Sequence, residues 1–252
     1  MKKGKIMKRV LIGIGILFVL IVAGGLTTVK MKTYQPEKLA TDALKSEANV
    51  KIEEKKELTI FTPKELDQTV PAIIFYQGAL VKAESYSYLA KELATQGYPV
   101  YLLHHLLNLP ILEMKAGDKV VEEYDLDQFV VGGHSLGGVV ASRFAKRELT
   151  KEGLKGVFFL ASYPDEKGDL RSFEGGVLSL TGTNDKVLNW SSYEDSQKFL
   201  PKQTVYQSIE GGNHGGFGAY GQQKGDGQPE ISTKEQQDQI VSYLVTWLKD
   251  IE

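Results

Sequence analysis

Apolar residues along this chain fall into two alternating rhythms. Short continuous runs recur at Val70–Tyr76, Tyr98–Leu103, Gln128–Val131, Val157–Leu160, Val177–Leu180 and Thr204–Ile209, and such runs predict strands. Between them the spacing lengthens to that of a helix. Tyr86, Leu89, Ala90 and Leu93 keep one face until Gly97, and the stretch Ile111–Tyr124 follows. Val139, Val140, Phe144 and Ala145 mark another helix, and Ile240, Val241, Leu244, Trp247 and Leu248 share a face of a last helix over Thr233–Lys249. Ahead of these, Val50–Glu54 and Glu57–Phe61 predict an antiparallel hairpin across Lys55-Lys56, and the polar stretch 33–48 is a tether or a short first helix. Strands alternating with helices imply an α/β fold, a mostly parallel central sheet with helices on both faces.

The amino terminus departs from both rhythms. From Val10 to Val29 no residue is charged, and a helix of that length matches the hydrocarbon core of a bilayer. Five basic residues precede the run, so the positive-inside rule expects an anchor with everything after Lys30 outside the cell membrane. A cleaved signal peptide, with secretion, is the alternative, although Ala23-Gly24-Gly25 forms no clean Ala-x-Ala site. The expected organisation is a membrane segment over 1–32 and one α/β domain over 33–252.

Charge and composition narrow the chemistry. The first 32 residues hold seven basic and no acidic side chains; the remaining 23 basic residues face all 32 acidic ones, leaving a body near −9. Such a body repels a phosphate backbone, so nucleic acid is not an expected partner. With no cysteine and four histidines, a disulfide scaffold, a thiolate metal site and a Cys nucleophile are excluded.

Candidate chemistry sits where predicted strands end. Gly133-His134-Ser135-Leu136-Gly137 matches G-x-S-x-G, directly after an apolar strand and before an apolar-periodic helix. A turn that sharp crowds the backbone and calls for flanking glycines, while the helix N-terminus favours negative charge developing at the serine. A serine hydroxyl needs a base, and His214, in Gly212-Asn213-His214-Gly215, is the only histidine beyond Ser135; its glycine-rich surroundings predict a mobile loop. The carboxylate that orients the imidazole is expected at Asp185, after Thr181-Gly182-Thr183-Asn184, with Asp165 as runner-up; Glu148 and Glu194 fall away from strand ends. Oxyanion donors are expected from the amides of Leu136 and Ala79. His104 and His105 read as filler beside the cleft, and Leu106–Leu112 and Trp190–Tyr193 as loops that shape it.

These residues together, with Phe75-Tyr76-Gln77-Gly78-Ala79, Tyr86 and Leu89-Ala90, resemble the α/β-hydrolase superfamily, and within it a small, dienelactone-hydrolase-like branch of membrane-attached bacterial hydrolases. The resemblance covers roughly residues 36–250 and implies carboxylesterase or lipase-type activity on small-molecule or lipid esters, with no metal or organic cofactor. Gln77-Gly78 replaces the His-Gly of many lipases, and only about a dozen residues separate Tyr163 from Gly176, which implies an uncapped site. The same parts would serve an acyltransferase. A non-catalytic envelope binding module is the alternative from another class, and the Gly-rich stretch 211–228, with Asp226, is a third candidate as a cation or partner loop.

Overall fold

A computed structural model describes residues 24, 25, 27–149 and 153–251. The chain divides into two units, Met1–Thr33 and Tyr34–Glu252, and the architecture below is that of the second. Most of the apolar run Val10–Val29 lies outside the described residues. Among the described residues no helix is long and apolar enough to cross a membrane.

Eight strands form one sheet: β1 (Val50–Glu54), β2 (Leu58–Pro63), β3 (Ala72–Tyr76), β4 (Val100–Leu103), β5 (Phe129–His134), β6 (Leu154–Leu160), β7 (Gly176–Gly182) and β8 (Val205–Ile209). Their spatial order is β1-β2-β4-β3-β5-β6-β7-β8. The pairs β1–β2 and β2–β4 are antiparallel and every other pair is parallel.

Alternate side chains of the central strands enter two separate cores, which is why these strands read as unbroken apolar runs. Ile73, Phe75, Phe158 and Leu160 pack beneath α2 (Ser87–Thr95) and α6 (Thr233–Ile251). Ile74, Tyr76, Val157 and Phe159 pack beneath α3 (Ala116–Glu123) and α4 (Leu136–Glu148). The stretch 33–48 does contain a short helix, α1 (Lys38–Ala43).

Two segments differ from expectation. Ile111–Tyr124 is not one helix; a short 3-10 turn at Pro110–Leu112 ends where Glu113 leaves helical backbone (φ −133°, ψ 51°), and α3 begins only at Ala116. Trp190–Tyr193 is not a loop but the start of α5 (Trp190–Ser196), capped by the Asn189 side chain, which accepts the Ser192 amide at 3.1 Å.

The order of the strands positions the site. After β3 the chain moves outward to β4, returns past β3 to β5, and then proceeds the other way through β6, β7 and β8. The carboxyl ends of β3 and β5 therefore flank the point where the winding reverses, where connections diverge and leave a crevice. Tyr76 and His134 are the last residues of those strands.

Candidate active site

Ser135 stands in the turn between β5 and α4 with φ 52° and ψ −124°, left-handed backbone that a serine adopts only under constraint. Three hydrogen bonds supply the constraint. The Ser135 amide donates to the Leu160 carbonyl at 3.0 Å, and the Ser135 carbonyl accepts the Gly138 amide at 3.0 Å and the Ser162 hydroxyl at 2.6 Å. The flanking glycines are demanded by close approach: a Cβ on Gly133 or Gly137 would run into the Tyr76 carbonyl oxygen. The turn can be this tight only because α4 comes down directly on the end of β3.

Asp185 lies just beyond β7 and is almost fully buried. One carboxylate oxygen accepts the amides of Val187 and Leu188, each at 2.8 Å; the other meets His214 Nδ1 at 2.8 Å. The side chains of His214 and Asp185 are 2% and 0% exposed, so this pair is shielded from water. With Nδ1 engaged by the carboxylate, Nε2 is the nitrogen left to exchange a proton. Ser135, Leu136 and His214 line one cavity of about 250 Å³, with Val139, Ala161 and Leu188 among its apolar walls.

The histidine loop, despite its glycines, is buried and gripped from α6. Gln236, on α6, accepts the Asn213 amide at 3.0 Å and donates to the Asn213 carbonyl at 2.8 Å, while Gln237 donates to the Gly216 carbonyl at 2.8 Å. Both glutamines are buried. The stretch 211–228 is not an open cation loop: the Asp226 carboxylate is occupied by the amides of Gly215, Lys186 and Gly227. Among the described residues no cluster of His, Cys, Asp and Glu is arranged to hold a metal ion.

The loop after β3 is held from both sides. The Gly78 amide donates to the Tyr86 hydroxyl at 3.0 Å, and that hydroxyl lies 2.8 Å from His134 Nδ1. The hydroxyl thus links the loop after β3 to the His134 ring. Burial, reinforced by the neighbouring His214 ring 4.5 Å away, holds the His134 pKa well below the ordinary imidazole range, so it stays neutral. The Leu80 amide donates to the Asn108 carbonyl at 2.8 Å, whereas the Ala79 amide between them meets no acceptor among the described residues.

Other sequence candidates fall elsewhere. Asp165 pairs with Arg143 and caps the turn Glu166–Gly168, away from His214. His104 Nε2 sits 3.0 Å from the Thr59 hydroxyl, and His105 stacks on Tyr76; neither lines the cavity at Ser135. Residues with no local signal also serve the site: Ser162, Asn108, Gln236 and Gln237 lie 21 or more positions from the group each supports.

The sequence model of a family described as "Alpha/beta hydrolase family" matches residues 72–238. Solved structures of similar fold include a hyperthermophilic esterase from the archaeon Pyrobaculum calidifontis, at TM-score 0.62 and 16% identity over 84% of this chain and 88% of that one. A bacterial heroin esterase follows at TM-score 0.57 and 13% identity over 85% and 89%, and a carboxylesterase from Bacillus subtilis at 0.54 and 9% over 83% and 94%. Among curated proteins none matches the chain in sequence.

Proposed function

The chain belongs to the alpha/beta hydrolase family, and from that premise we propose that it is a serine hydrolase that cleaves carboxylic esters through an acyl-enzyme on Ser135. The observation that carries the proposal is the buried His214–Asp185 contact of 2.8 Å, in which His214 opens onto the same cavity as the strained Ser135. That solved structures of the same fold are described as esterases supports the choice of ester as substrate.

In the proposed reaction, Ser135 Oγ attacks the ester carbonyl while His214 Nε2 takes its proton. Asp185 holds the ring in that orientation and stabilises the imidazolium. The oxyanion is met by the amides of Leu136, at the start of α4, and of Ala79, whose N–H has no competing acceptor among the described residues. His214 returns the proton to the departing alkoxide. Water then gives a proton to His214 and its hydroxide equivalent to the acyl carbon; His214 passes that proton to Ser135 Oγ as the Ser135–acyl bond breaks, releasing a carboxylic acid and the free serine.

Labelling with a fluorophosphonate, alongside p-nitrophenyl acetate turnover, tests this reading. We expect Ser135→Ala to lose both, and His214→Ala to lose about three or more orders of magnitude in turnover. An unlabelled wild type, or turnover that survives in Ser135→Ala, would overturn the assignment and leave a binding module on this fold.

A further inference from the structure

Besides the Asp185–His214 contact itself, the loops carrying these two residues are joined by hydrogen bonds close to the sheet. The Thr183 amide donates to the Ile209 carbonyl at 3.1 Å, the Asn184 amide to the Gly212 carbonyl at 2.8 Å, and the Gly211 amide to the Thr183 hydroxyl at 2.9 Å. A third segment, 221–228, packs against both loops. Gly227 packs so closely on the Asn184 carbonyl that no Cβ would fit, and its own carbonyl accepts the Asn213 side-chain amide at 2.9 Å.

From that segment the Asp226 carboxylate reaches both loops at once. Oδ2 accepts the amide of Gly215, the residue after His214, at 2.8 Å. Oδ1 accepts the amide of Lys186, the residue after Asp185, at 3.2 Å. We propose that Asp226 is a positioning residue, a carboxylate clamp that sets the distance between the Asp185 and His214 loops by holding the amide that follows each. The inference rests on the proposed roles of Asp185 and His214.

The chemistry explains why a carboxylate is needed. Three N–H donors converge on one side chain, the amides of Lys186 and Gly227 on Oδ1 and that of Gly215 on Oδ2, so both of its oxygens must accept and neither may donate, as in an ionised carboxylate. An asparagine of the same shape offers one acceptor and turns an NH₂ donor against the amide or amides at the other position. That side is then repelled, and the spacing between the loops changes while the side chains of Asp185 and His214 remain intact. A displacement well under 1 Å at a proton-transfer pair suffices to slow it, since proton transfer needs heavy-atom separations within hydrogen-bond reach.

The test compares wild type, Ser135→Ala, Asp226→Asn and Gln223→Ala as full chains. Gln223 lies on the same segment, and its side chain accepts the Tyr220 hydroxyl at 2.9 Å rather than an amide of either loop. We expect Asp226→Asn to lower kcat about 10- to 100-fold with KM nearly unchanged, and to weaken or abolish the far-downfield proton resonance of His214 Nδ1–H. Gln223→Ala should keep wild-type kcat and resonance. Wild-type kcat in Asp226→Asn, or an equal loss in both variants, overturns the clamp. If Ser135→Ala stays active, the hydrolase reading fails instead. A measurement on wild type covers the case in which Asp226→Asn does not fold: the clamp requires the Gly215 and Lys186 amides to be protected from hydrogen exchange, and free-loop exchange rates at both overturn it.

Discussion

His105 shows how much a single side chain can ask of its surroundings. It follows β4, is 6% exposed, stacks on Tyr76 with ring centroids 5.4 Å apart, and has no hydrogen-bond partner on either ring nitrogen among the described residues. Burial, aided by the charge of His104, pushes its pKa down to about 4. In the unfolded chain the ring titrates near the ordinary value of about 6.5. As pH falls from 6.5 toward 4, the unfolded state gains a proton that the folded state refuses. Stability is therefore full above about 6.5 and is lost progressively down to about 4, by up to roughly 3 kcal/mol. Urea midpoints at pH 7 and pH 4.5 check this: His105→Phe should keep the stacking and lose much of the fall between the two. Ser135 is the opposite case, a strained residue over-determined by three hydrogen bonds, with a cost of order 1–3 kcal/mol met by its surroundings.

At the scale of elements, the sheet and its helices are held by different means on the two faces. On the α6 face, Trp247 is 5% exposed and meets Phe158 edge-on at 6.2 Å, so Trp247→Ala should cost about 3–5 kcal/mol in denaturant unfolding while labelling of the remaining folded fraction persists. On the α4 face the decisive contact is backbone to backbone, where Gly137 lies against the Tyr76 and Gln77 carbonyls. Gly137→Ala must push the start of α4 off the end of β3. We expect it to abolish p-nitrophenyl acetate turnover in whatever protein still folds, as judged by circular dichroism and activity on the same sample. The strands were legible from short apolar runs, and α2, α4 and α6 because each repeats an apolar spacing over more than one turn. Helix α5 was not legible: only Tyr193 and Ser196 among its residues are buried, so no apolar stripe betrays it, and its capping asparagine reads equally as a turn residue.

For the whole molecule, the proposed anchor at Val10–Val29 makes a separate prediction, since it rests on charge and length in the sequence. Full-length protein should sediment with membranes and be removed from intact cells by added protease, whereas a protein remaining in the supernatant after lysis would overturn the anchor. The proposed serine, acid and histidine were named from order along the chain because a doubly wound sheet delivers successive strand ends to one edge, and a short motif at each end marks where chemistry is possible. What local order could not reveal is how those ends are held in register. The Gly78–Tyr86–His134 chain, the grip of Gln236 and Gln237 on the histidine loop, and the Asp226 clamp are hydrogen bonds between segments remote in sequence, made by polar residue types common on any surface. The sequence by itself determined the α/β class, the strand-end candidates and the charge asymmetry, because periodicity, chain order and net charge are properties of neighbours along the chain. Only the tertiary structure decided that Gln236 and Gln237 grip the His214 loop and that Asp226 accepts backbone amides, because a polar group's role depends on which partners burial forces upon it.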